Sequence, residues 1–303
     1  MIVVAGATGN LGFQITTELI KNKAAVRALV RENTSLIKQQ ALRDLGAEVV
    51  VVDFESAESL SNACKNSDVV VCALAGLRDV IFTTQLRLFN AAVDAGVPRF
   101  IPSDFCIDFT KLPEGSNRNL DTRRDFMKSI ESNKKIQVTS ILNGAFTDML
   151  SGTAPFIMYD AKKVLCWGNP NQLMDWTTVA NTATYTALAA MDPKTPRFLK
   201  IAGDQISAQG LAEFMTELSG QKYKVLRPGN LKMFSALIAI TKFFTRKSDE
   251  LYPAWQGMQY MHNMYCGLAQ PEHIDNGRYQ VAWTTTREFV AQYLSAQKTI
   301  KKN

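Results

Sequence analysis

The sequence predicts an α/β fold in which a doubly wound parallel sheet carries a smaller C-terminal lobe. One observation is the apolar run Ile2–Ala5, which passes without a linker into a glycine-rich turn and a helical pattern. A short uninterrupted apolar run is typical of a central parallel strand that is covered on both faces. The other is that strand and helix patterns keep alternating up to residue 142, as in doubly wound sheets.

The turn after the first strand has the spacing G-x-x-G-x-x-G, formed by Gly6, Gly9 and Gly12. Gly6 permits a tight turn, Gly9 lets the backbone approach a pyrophosphate, and Gly12 lets the helix pack close to the strand. Because the turn joins a strand to a helix and opens a series of such units, it predicts a dinucleotide-binding Rossmann fold.

The helix that this turn opens is predicted over residues 11–22. Backbone N–H groups at the start of a helix have no partner within it, and the helix dipole favours an anion there. We therefore expect the N–H groups of Gly9, Asn10 and Leu11 to face the phosphates of a dinucleotide.

The second strand, predicted over residues 25–30, is followed by Arg31. An acidic residue at the end of this strand binds the ribose 2′-hydroxyl of NAD, whereas an arginine accommodates the 2′-phosphate of NADP. Arg31 thus favours NADP(H) over NAD(H), with Thr34 as a possible further contact. The alternative is that Arg31 is an exposed loop residue beside Glu32.

The rest of the first half is read from apolar runs and from helix start and stop signals. Ser56 is a plausible helix N-cap, and Gly96 and Pro98 stop the helix before the fifth strand. Further strands are predicted over residues 48–52, 68–74, 99–102 and 136–142. Further helices are predicted over residues 36–45, 56–64, 79–95 and 119–132. The carboxyl ends of these strands are where ligands bind in open α/β sheets.

Beyond residue 150 the alternation fails, and no Pro/Gly/Ser-rich linker separates the two halves. We place an NAD(P)-binding domain at residues 1–150 and a substrate lobe of α+β type, packed on the first domain and partly interleaved with it, at residues 151–303. Predicted elements of this lobe are a hairpin at 156–167, strands at 198–201 and 222–226, helices at 176–191, 207–219 and 285–297, and two helices between residues 231 and 267.

Composition indicates a large buried core, since 46% of the 303 residues are hydrophobic. The net charge of +6 is modest, and the basic residues are scattered apart from a C-terminal tail at residues 298–302, so no nucleic-acid partner is expected. The five cysteines are far apart without a C-x-x-C pair, which is typical of reduced thiols. No apolar run is long enough to span a membrane, and the first strand begins at residue 2, so we expect a soluble cytoplasmic protein with no membrane partner.

Three segments carry a resemblance to a known family: the glycine turn at residues 6–12, Leu-Val-Arg-Glu at 29–32, and residues 92–105, which contain Gly-Val-Pro-Arg-Phe-Ile-Pro-Ser-Asp-Phe. Residues 143–146 and 175–190 add weaker support. Together they resemble the NmrA-like, isoflavone-reductase-like branch of the atypical short-chain dehydrogenases. The resemblance covers nearly the whole chain. It implies an NADPH-dependent reductase of phenylpropanoid-type substrates, or an NmrA-type sensor of NADP(H) that contacts a protein partner without turnover.

The family's reductases carry a lysine on the helix after the Pro-Ser-[Asp/Glu]-Phe strand end. Arg123 occupies that place in this sequence, with Arg124 one residue away in an uncertain register. Arginine can hold a carbonyl or phenolate by fixed hydrogen bonds but does not release a proton near neutral pH. We therefore predict Arg123 as the catalytic residue in the role of a clamp, and this departure favours the sensor alternative.

Other chemically suggestive residues are given less weight. Tyr159 and Lys163 have the Y-x-x-x-K spacing of ordinary short-chain dehydrogenases, but their β-prone surroundings predict a hairpin turn. His262 and His273 lack neighbouring ligands, so no metal site is expected. The Met- and aromatic-rich residues 251–265 form either core or an apolar substrate pocket.

Two functions remain. The first is an NADPH-dependent oxidoreductase that transfers hydride to an apolar or aromatic carbonyl, enone or quinone-like small molecule. The alternative is a non-catalytic NADP(H)-binding regulatory protein with a protein partner. The candidate cofactor-binding residues, which cluster at the predicted strand ends, are Gly6, Thr8, Gly9, Asn10, Leu11, Gly12, Arg31, Thr34, Asp53, Phe54, Leu74, Ala75, Gly76, Ser103, Asp104, Phe105, Asn143 and Phe146.

Overall fold

The computed structural model describes residues 1–245, 250 and 252–300. Its strands are β1 Ile2–Ala5, β2 Val26–Val30, β3 Glu48–Val51, β4 Val69–Cys72, β5 Arg99–Ile101, β6 Gln137–Val138, β7 Ser140–Leu142, β8 Ala145–Phe146, β9 Ile157–Met158, β10 Lys163–Leu165, β11 Met174–Thr177, β12 Phe198–Lys200, β13 Asp204–Ile206 and β14 Lys224–Leu226. Its α-helices are α1 Asn10–Lys21, α2 Leu36–Asp44, α3 Ala57–Cys64, α4 Gln85–Asp94, α5 Arg118–Ile130, α6 Val179–Met191, α7 Ala208–Ser219, α8 Leu231–Phe244, α9 Ala254–Tyr265 and α10 Thr286–Ile300.

The main sheet has the strand order β3-β2-β1-β4-β5-β6, and neighbouring strands are parallel. Ile2 of β1 is in register with Val26 of β2 on one side and with Val69 of β4 on the other. The chain therefore winds outward from β1 in both directions, which confirms the doubly wound prediction. A crevice opens where the strand order reverses, beyond the carboxyl ends of β1 and β4.

Alternate residues of β1 enter two different cores, because successive side chains of a strand point to opposite faces. Ile2 and Val4 pack with α1 and α6 on one face, and Val3 and Ala5 pack with α3 and α4 on the other. A third core is formed by residues between 106 and 290. Since α6 completes a core of the main sheet, the second half is interleaved with the first; the domain boundary at residue 150 stays a prediction.

The predicted strand at residues 136–142 is wrong as a single element. It is divided into β6, which pairs with β5, and β7, which pairs with β12. Thr139 lies between them, and its hydroxyl is bonded to Thr195 Oγ1 (2.7 Å) and Pro196 O (2.9 Å). These bonds fix the backbone at Thr139. The chain can therefore pair with β5 before this residue and with β12 after it, although the apolar sequence pattern continues without a break.

The predicted helix at residues 176–191 is also wrong at its start, because residues 174–177 form β11. This strand pairs antiparallel with β13 and parallel with β8. The helix begins only after Thr178, whose side chain accepts a hydrogen bond from the backbone N–H of Asn181. β13 was not predicted, since two of its three residues, Asp204 and Gln205, are polar.

Two further segments bear on the sequence predictions. The predicted helix at residues 79–95 starts as a π-helical turn, Asp79–Thr84, before α4. β9 and β10 form the predicted hairpin, so Tyr159 lies in the turn, Lys163 begins β10, and neither residue is on a helix. The Tyr159 hydroxyl is bonded to Leu150 O (2.5 Å), which confirms that this pair is not arranged as a Tyr-Lys catalytic pair.

No helix in the described part of the chain is long and apolar enough to span a membrane. Residues 301–303 of the basic tail, and residue 251 at the start of the Met- and aromatic-rich segment, lie outside the described residues.

Candidate active site

The three glycines of the first turn have different surroundings. Gly6 has φ of +83°, and a Cβ added there would lie 2.5 Å from Ala73 O. A Cβ on Gly12 would overlap the carbonyl group of Gly6. A Cβ on Gly9 would meet only Gly6 O, at 3.4 Å, and Gly9 is exposed. Gly6 and Gly12 are therefore required by packing, whereas the space in front of Gly9 is open to a ligand.

The start of α1 differs from the start of most other helices. Among the described residues, seven helices begin with a side-chain cap, contributed by Ser35, Ser56, Asn117, Thr178, Ser207, Asn230 and Thr285. α1 begins at Gly9 without one, and the only polar side chain of its first turn, Asn10, is bonded to Gln14. Within the described residues, the N–H groups of Asn10, Leu11 and Gly12 have no protein acceptor. Free N–H groups at the start of a helix are suited to binding an anion.

One detail of the phosphate prediction is wrong. The N–H of Gly9 donates to Gly6 O (3.0 Å) and is used by the turn itself. The donors that remain are one residue further along the chain than predicted. Thr8, between the two glycines, is half-buried beside them.

Arg31 lies exposed just after β2, with its guanidinium carbon 5.9 Å from the centre of the Phe54 ring. In the part of the chain that the structure describes, this guanidinium makes no ion pair, not even with Glu32. The N–H of Thr34 donates to Arg31 O and closes a tight turn beneath it. Asp53 lies next to Phe54, and its carboxylate accepts from the N–H of Glu55 (2.8 Å). The structure thus brings two of the candidate cofactor-binding residues, Arg31 and Phe54, together.

Ser103 joins the ends of β4 and β5. Its hydroxyl donates to Leu74 O (2.7 Å), and its N–H donates to Gln85 Oε1 (2.7 Å). Ala75 is exposed beside this contact, and Gly76 is half-buried, with Val80 so close that a Cβ on Gly76 would lie 2.5 Å from it. The residues after β4 thus form a small-residue wall of the crevice.

Asp104 and Phe105 are directed into the protein. Asp104 is 1% exposed, its Oδ2 accepts from the Ser140 hydroxyl (2.7 Å), and burial raises the pKa of its carboxyl. Arg197 Nη1 donates to the same Ser140 oxygen (2.7 Å). Phe105 packs in the core with α1 and α6. The structure therefore does not bring these two side chains to the open crevice with the others.

Asn143 follows β7 at the same edge of the sheet. Its side chain is fully buried, and neither its Nδ2 nor its Oδ1 has a hydrogen-bond partner among the described residues. Leaving a buried amide unpaired costs about 1–3 kcal/mol. Such a group at the ligand-binding edge is suited to pairing with a polar ligand. Phe146, after the next turn, is half-buried against the neighbouring core.

Arg123 lies on α5 with its guanidinium turned toward the end of β5. Nε donates to Ser103 O (3.0 Å) and Nη1 donates to Asn119 O (3.1 Å). Although burial lowers the pKa of Arg123, the nearby Cys106, Tyr260, Asp104 and Tyr252 raise it above the ordinary arginine value. Arg123 is therefore a fixed permanent cation next to the strand ends.

Arg124, the next residue on α5, has a different environment. It is 6% exposed and donates to Asp121 Oδ1 (2.5 Å), Phe109 O (2.5 Å) and Leu112 O (2.8 Å). These contacts tie α5 to the preceding loop. Arg124 is a structural residue, and Arg123 is the one that faces the strand ends.

Hydrogen bonds made by buried Asn and Gln side chains connect α9 to the start of α5. Asn117 Oδ1 accepts from Gln256 Nε2 (2.7 Å), and Asn117 Nδ2 donates to Asn263 Oδ1 (3.2 Å). The backbone N–H of Arg118 donates to Gln259 Oε1 (3.2 Å). Because Asn117 also caps α5, these bonds fix the position of α9 relative to Arg123.

Much of the Met- and aromatic-rich segment is core. Trp255, Met261, Met264 and Tyr265 of α9 are buried in the protein interior, whereas Tyr260 is half-buried. Sequence reasoning had no signal that would separate Tyr260 from its neighbours, because the distinction depends on how α9 docks.

Neither histidine approaches the strand ends. His262 Nε2 is 2.9 Å from Ser235 Oγ, and His273 is exposed, 3.6 Å from Asp275. Among the described residues, no three His, Cys, Asp or Glu side chains are grouped closely enough to hold a metal ion.

A sequence model described as the NmrA-like family matches residues 1–260. The chain belongs to the NmrA-like family. Its curated relatives include a bifunctional pinoresinol-lariciresinol reductase from Linum usitatissimum, 29% identical over 237 residues that cover 73% of this chain and 75% of the relative. An isoflavone reductase from Pisum sativum is 29% identical over 216 residues, 64% of this chain and 67% of the relative.

Solved structures of this family's type share the fold. AtPrR2 with NADP+ and (+)pinoresinol has a TM-score of 0.82 at 22% identity and covers 96% of this chain and 98% of its own. A leucoanthocyanidin reductase–NADPH binary complex from Vitis vinifera has a TM-score of 0.80 at 17% identity, covering 97% and 99%. An NADPH-dependent quinone oxidoreductase from Escherichia coli has a TM-score of 0.75 at 20% identity, covering 97% and 100%.

Proposed function

We propose that this member of the NmrA-like family is an NADP(H)-dependent oxidoreductase that transfers hydride to an apolar or aromatic carbonyl, enone or quinone-like substrate. The observation that carries the proposal is the uncapped start of α1. Its free N–H groups follow the glycine turn after β1, where the strand order of the main sheet reverses. The curated relatives named above are reductases, and this supports the same reaction class here.

The residues of the crevice fit such a dinucleotide. The first turn of α1 would hold the pyrophosphate, with the open space at Gly9 admitting it. Arg31 would bind the 2′-phosphate, because its guanidinium has no competing ion pair, and Phe54 would border the adenine. The unpaired amide of Asn143 would serve the nicotinamide end. When bound, NADPH supplies the hydride.

Arg123 acts on the substrate in this proposal. Its guanidinium is anchored by two backbone carbonyls and stays charged, so it can bind an oxygen atom that gains negative charge during hydride transfer. A positive charge that is already in place needs no reorganisation when the oxygen becomes negative. Arg123 is thus a clamp and electrophile, and the proton must come from another group.

The test is to measure NADPH binding by titration and then NADPH oxidation against a panel of quinones, enones and aromatic ketones. We expect binding, a strong preference over NADH, and turnover with at least one apolar class. Gly9→Val is the matched control, since it should abolish both signals. Absence of NADPH binding would overturn the proposal, and binding without any turnover would favour the regulatory alternative.

A further inference from the structure

The outer face of α8 consists of large apolar side chains. Five of them are between 40% and 79% exposed, namely Met233, Leu237, Ile240, Phe243 and Phe244. Their spacing of three or four residues places them along one side of the helix, which is about 21 Å long. The rings of Phe243 and Phe244 contact each other at its C-terminal end, with centroids 5.4 Å apart. We refer to these five residues as the α8 stripe.

The opposite side of α8 is packed against the protein. Phe234 is buried, and its ring stacks on that of Trp167 with centroids 4.5 Å apart. Ser235 Oγ is 2.9 Å from His262 Nε2 on α9, and Ile238 is also buried. Because these contacts fix the orientation of α8, the α8 stripe is held facing outward.

The area of the α8 stripe is large for a surface that meets only water. Phe243 and Phe244 are 72% and 79% exposed, so these two rings alone present on the order of 300 Å². The largest apolar patch of a typical monomer covers about 300–600 Å² and is often functional. With its three further side chains, the α8 stripe lies within this range and indicates a binding surface.

The segment that contains the α8 stripe is also basic. Residues 218–245 include five basic residues and no acidic residue, whereas the net charge of the whole chain is +6. All five are exposed, and among the described residues none makes an ion pair: Lys222, Lys224, Arg227, Lys232 and Lys242. The segment therefore presents uncompensated positive charge together with exposed apolar surface.

Basic residues border α8 at several points. Lys232 lies in its first turn, beside the first residue of the α8 stripe. Lys242 lies in its last turn, with Nζ 5.1 Å from the centre of the Trp255 ring. β14, which precedes α8, adds Lys224 in register with the exposed Lys163 of β10. Like charges in opposite positions on neighbouring strands repel each other, so an anion beside them would relieve the repulsion.

This charge discriminates between possible occupants of the α8 stripe. A second copy of this chain, related by a twofold axis, would bring two identical surfaces together. The two basic segments would then face each other without acidic residues of their own, and this repulsion opposes association. An apolar helix face with phenylalanines, bordered by lysines, is instead typical of helices that lie in a bilayer surface, where anionic headgroups attract the lysines.

We propose that α8 binds the surface of a bilayer that contains anionic phospholipids, with the α8 stripe entering the headgroup region. The helix lies along the surface and does not cross the bilayer, in agreement with the lack of a membrane-spanning helix in the described part of the chain. This differs from the sequence-based expectation of no membrane partner, because only the fold shows which face of α8 is left uncovered. The proposal does not depend on the oxidoreductase function.

Vesicle sedimentation with the full chain tests this proposal. The vesicles consist of phosphatidylcholine alone or of an equal mixture with phosphatidylglycerol. We expect binding to the mixed vesicles that weakens as salt is added, and little binding to phosphatidylcholine alone. Phe243→Ser combined with Phe244→Ser should lower the affinity for mixed vesicles at least tenfold. The matched control, Leu36→Ser with Ile37→Ser on α2, should bind like the wild type, since these residues are 78% and 83% exposed on another helix.

The basic residues are tested separately. Each lysine near an anionic surface raises the affinity by roughly fivefold. Lys224→Gln with Lys232→Gln should therefore lower the affinity at least tenfold, whereas Lys65→Gln with Lys134→Gln, at exposed positions outside the basic segment, should change it less than about twofold. If either the phenylalanine or the lysine variant bound like its control, the proposal would be overturned.

A fluorescent dye on α8 reports insertion directly. An environment-sensitive dye on Ile240→Cys should shift its emission to shorter wavelengths with mixed vesicles, and the same dye on Ile37→Cys should not. Labelled wild type gives the background, since four of its five cysteines are buried. Absence of binding to mixed vesicles, or no shift at residue 240, would overturn the proposal. A dimer that is dissociated by the double phenylalanine variant, in a protein that does not bind vesicles, would assign the α8 stripe to a second copy instead.

Discussion

At the scale of a single residue, we propose that Arg31 determines the cofactor preference. It lies beside Phe54 without an ion pair among the described residues, so nothing has to be displaced when a phosphate binds. A hydrogen-bonded arginine–phosphate pair contributes about 1.5–3 kcal/mol. We predict that NADP(H) binds at least tenfold tighter than NAD(H), and that Arg31→Ala removes this difference, as measured by titration with both cofactors.

A suitable control is Arg43→Ala on α2, where the guanidinium is bonded to Gln39. This variant should retain the wild-type preference. If Arg31→Ala retained it too, Arg31 would not be part of the cofactor site.

Arg123 gives the second prediction. The simplest non-catalytic explanation, a pair with a carboxylate on its own helix, is wrong, because the nearby Asp121 is bonded to Arg124 and Arg123 contacts two carbonyls. Arg123→Ala should lower turnover by roughly 10²-fold while NADP affinity stays nearly unchanged, since the interaction is made mainly in the transition state. Steady-state kinetics and cofactor titration together check this.

Arg124→Ala separates the two neighbours. Its three internal bonds predict a loss of stability, visible as a lower melting temperature, without a selective loss of kcat. An Arg123→Ala enzyme with full turnover would remove the clamp from the mechanism.

The start of α1 supports a prediction about a whole element. A valine at Gly9 would place its side chain in the open space that the pyrophosphate needs, yet it meets little of the protein. We therefore predict that Gly9→Val abolishes NADPH binding while the far-ultraviolet circular dichroism and melting temperature stay near wild type.

Gly12→Ala provides the contrast, because a Cβ there overlaps the Gly6 carbonyl and α1 must shift away from β1. The main effect of this variant should therefore be a loss of folding stability, in contrast to Gly9→Val. If Gly9→Val kept its NADPH affinity, the phosphate site would have to lie elsewhere.

Elements were predictable where local pattern and tertiary environment agree. The buried runs of β1 and β4 and the caps at Ser35 and Ser56 specify their structure locally. The errors occur where pairing partners change. The last two residues of β11 were assigned to a helix, because nothing in the sequence indicates that β8 and β13 lie on either side of this strand.

At the scale of the whole molecule, the sheet and its glycine turn could be predicted because each repeats a local rule. The second half of the site could not. Gln256 is 139 residues from Asn117, and the hydrogen bond between their side chains forms only because α9 docks against the start of α5. Contacts of this kind depend on packing that no periodicity encodes.

The last prediction concerns the C-terminal segment at residues 278–279, which is bonded to the residue that follows α6. Asp192, just after α6, accepts from the Tyr279 hydroxyl (2.7 Å) and from Arg278 Nη2 (2.7 Å) and Nε (3.0 Å). Burial raises the pKa of Asp192, but the backbone N–H of Lys194 and the donors from Tyr279 and Arg278 outweigh it and lower the pKa to about 2. The ionised carboxylate therefore holds the segment in place.

A carboxyl whose folded pKa is depressed contributes stability above its unfolded pKa, and that contribution is lost as pH falls through the folded value. For Asp192 this window runs from about pH 4 down to about 2, and the contribution is on the order of 2 kcal/mol. Asp192→Asn should lower the free energy of unfolding by that amount at pH 7, and urea unfolding at several pH values should show the gap between the variant and the wild type narrowing toward pH 2. Asp94→Asn, on the exposed end of α4, should show little effect at any pH. If the stability difference between Asp192→Asn and the wild type stayed constant from pH 7 to pH 2, the charge of Asp192 would not stabilise the contact with residues 278–279.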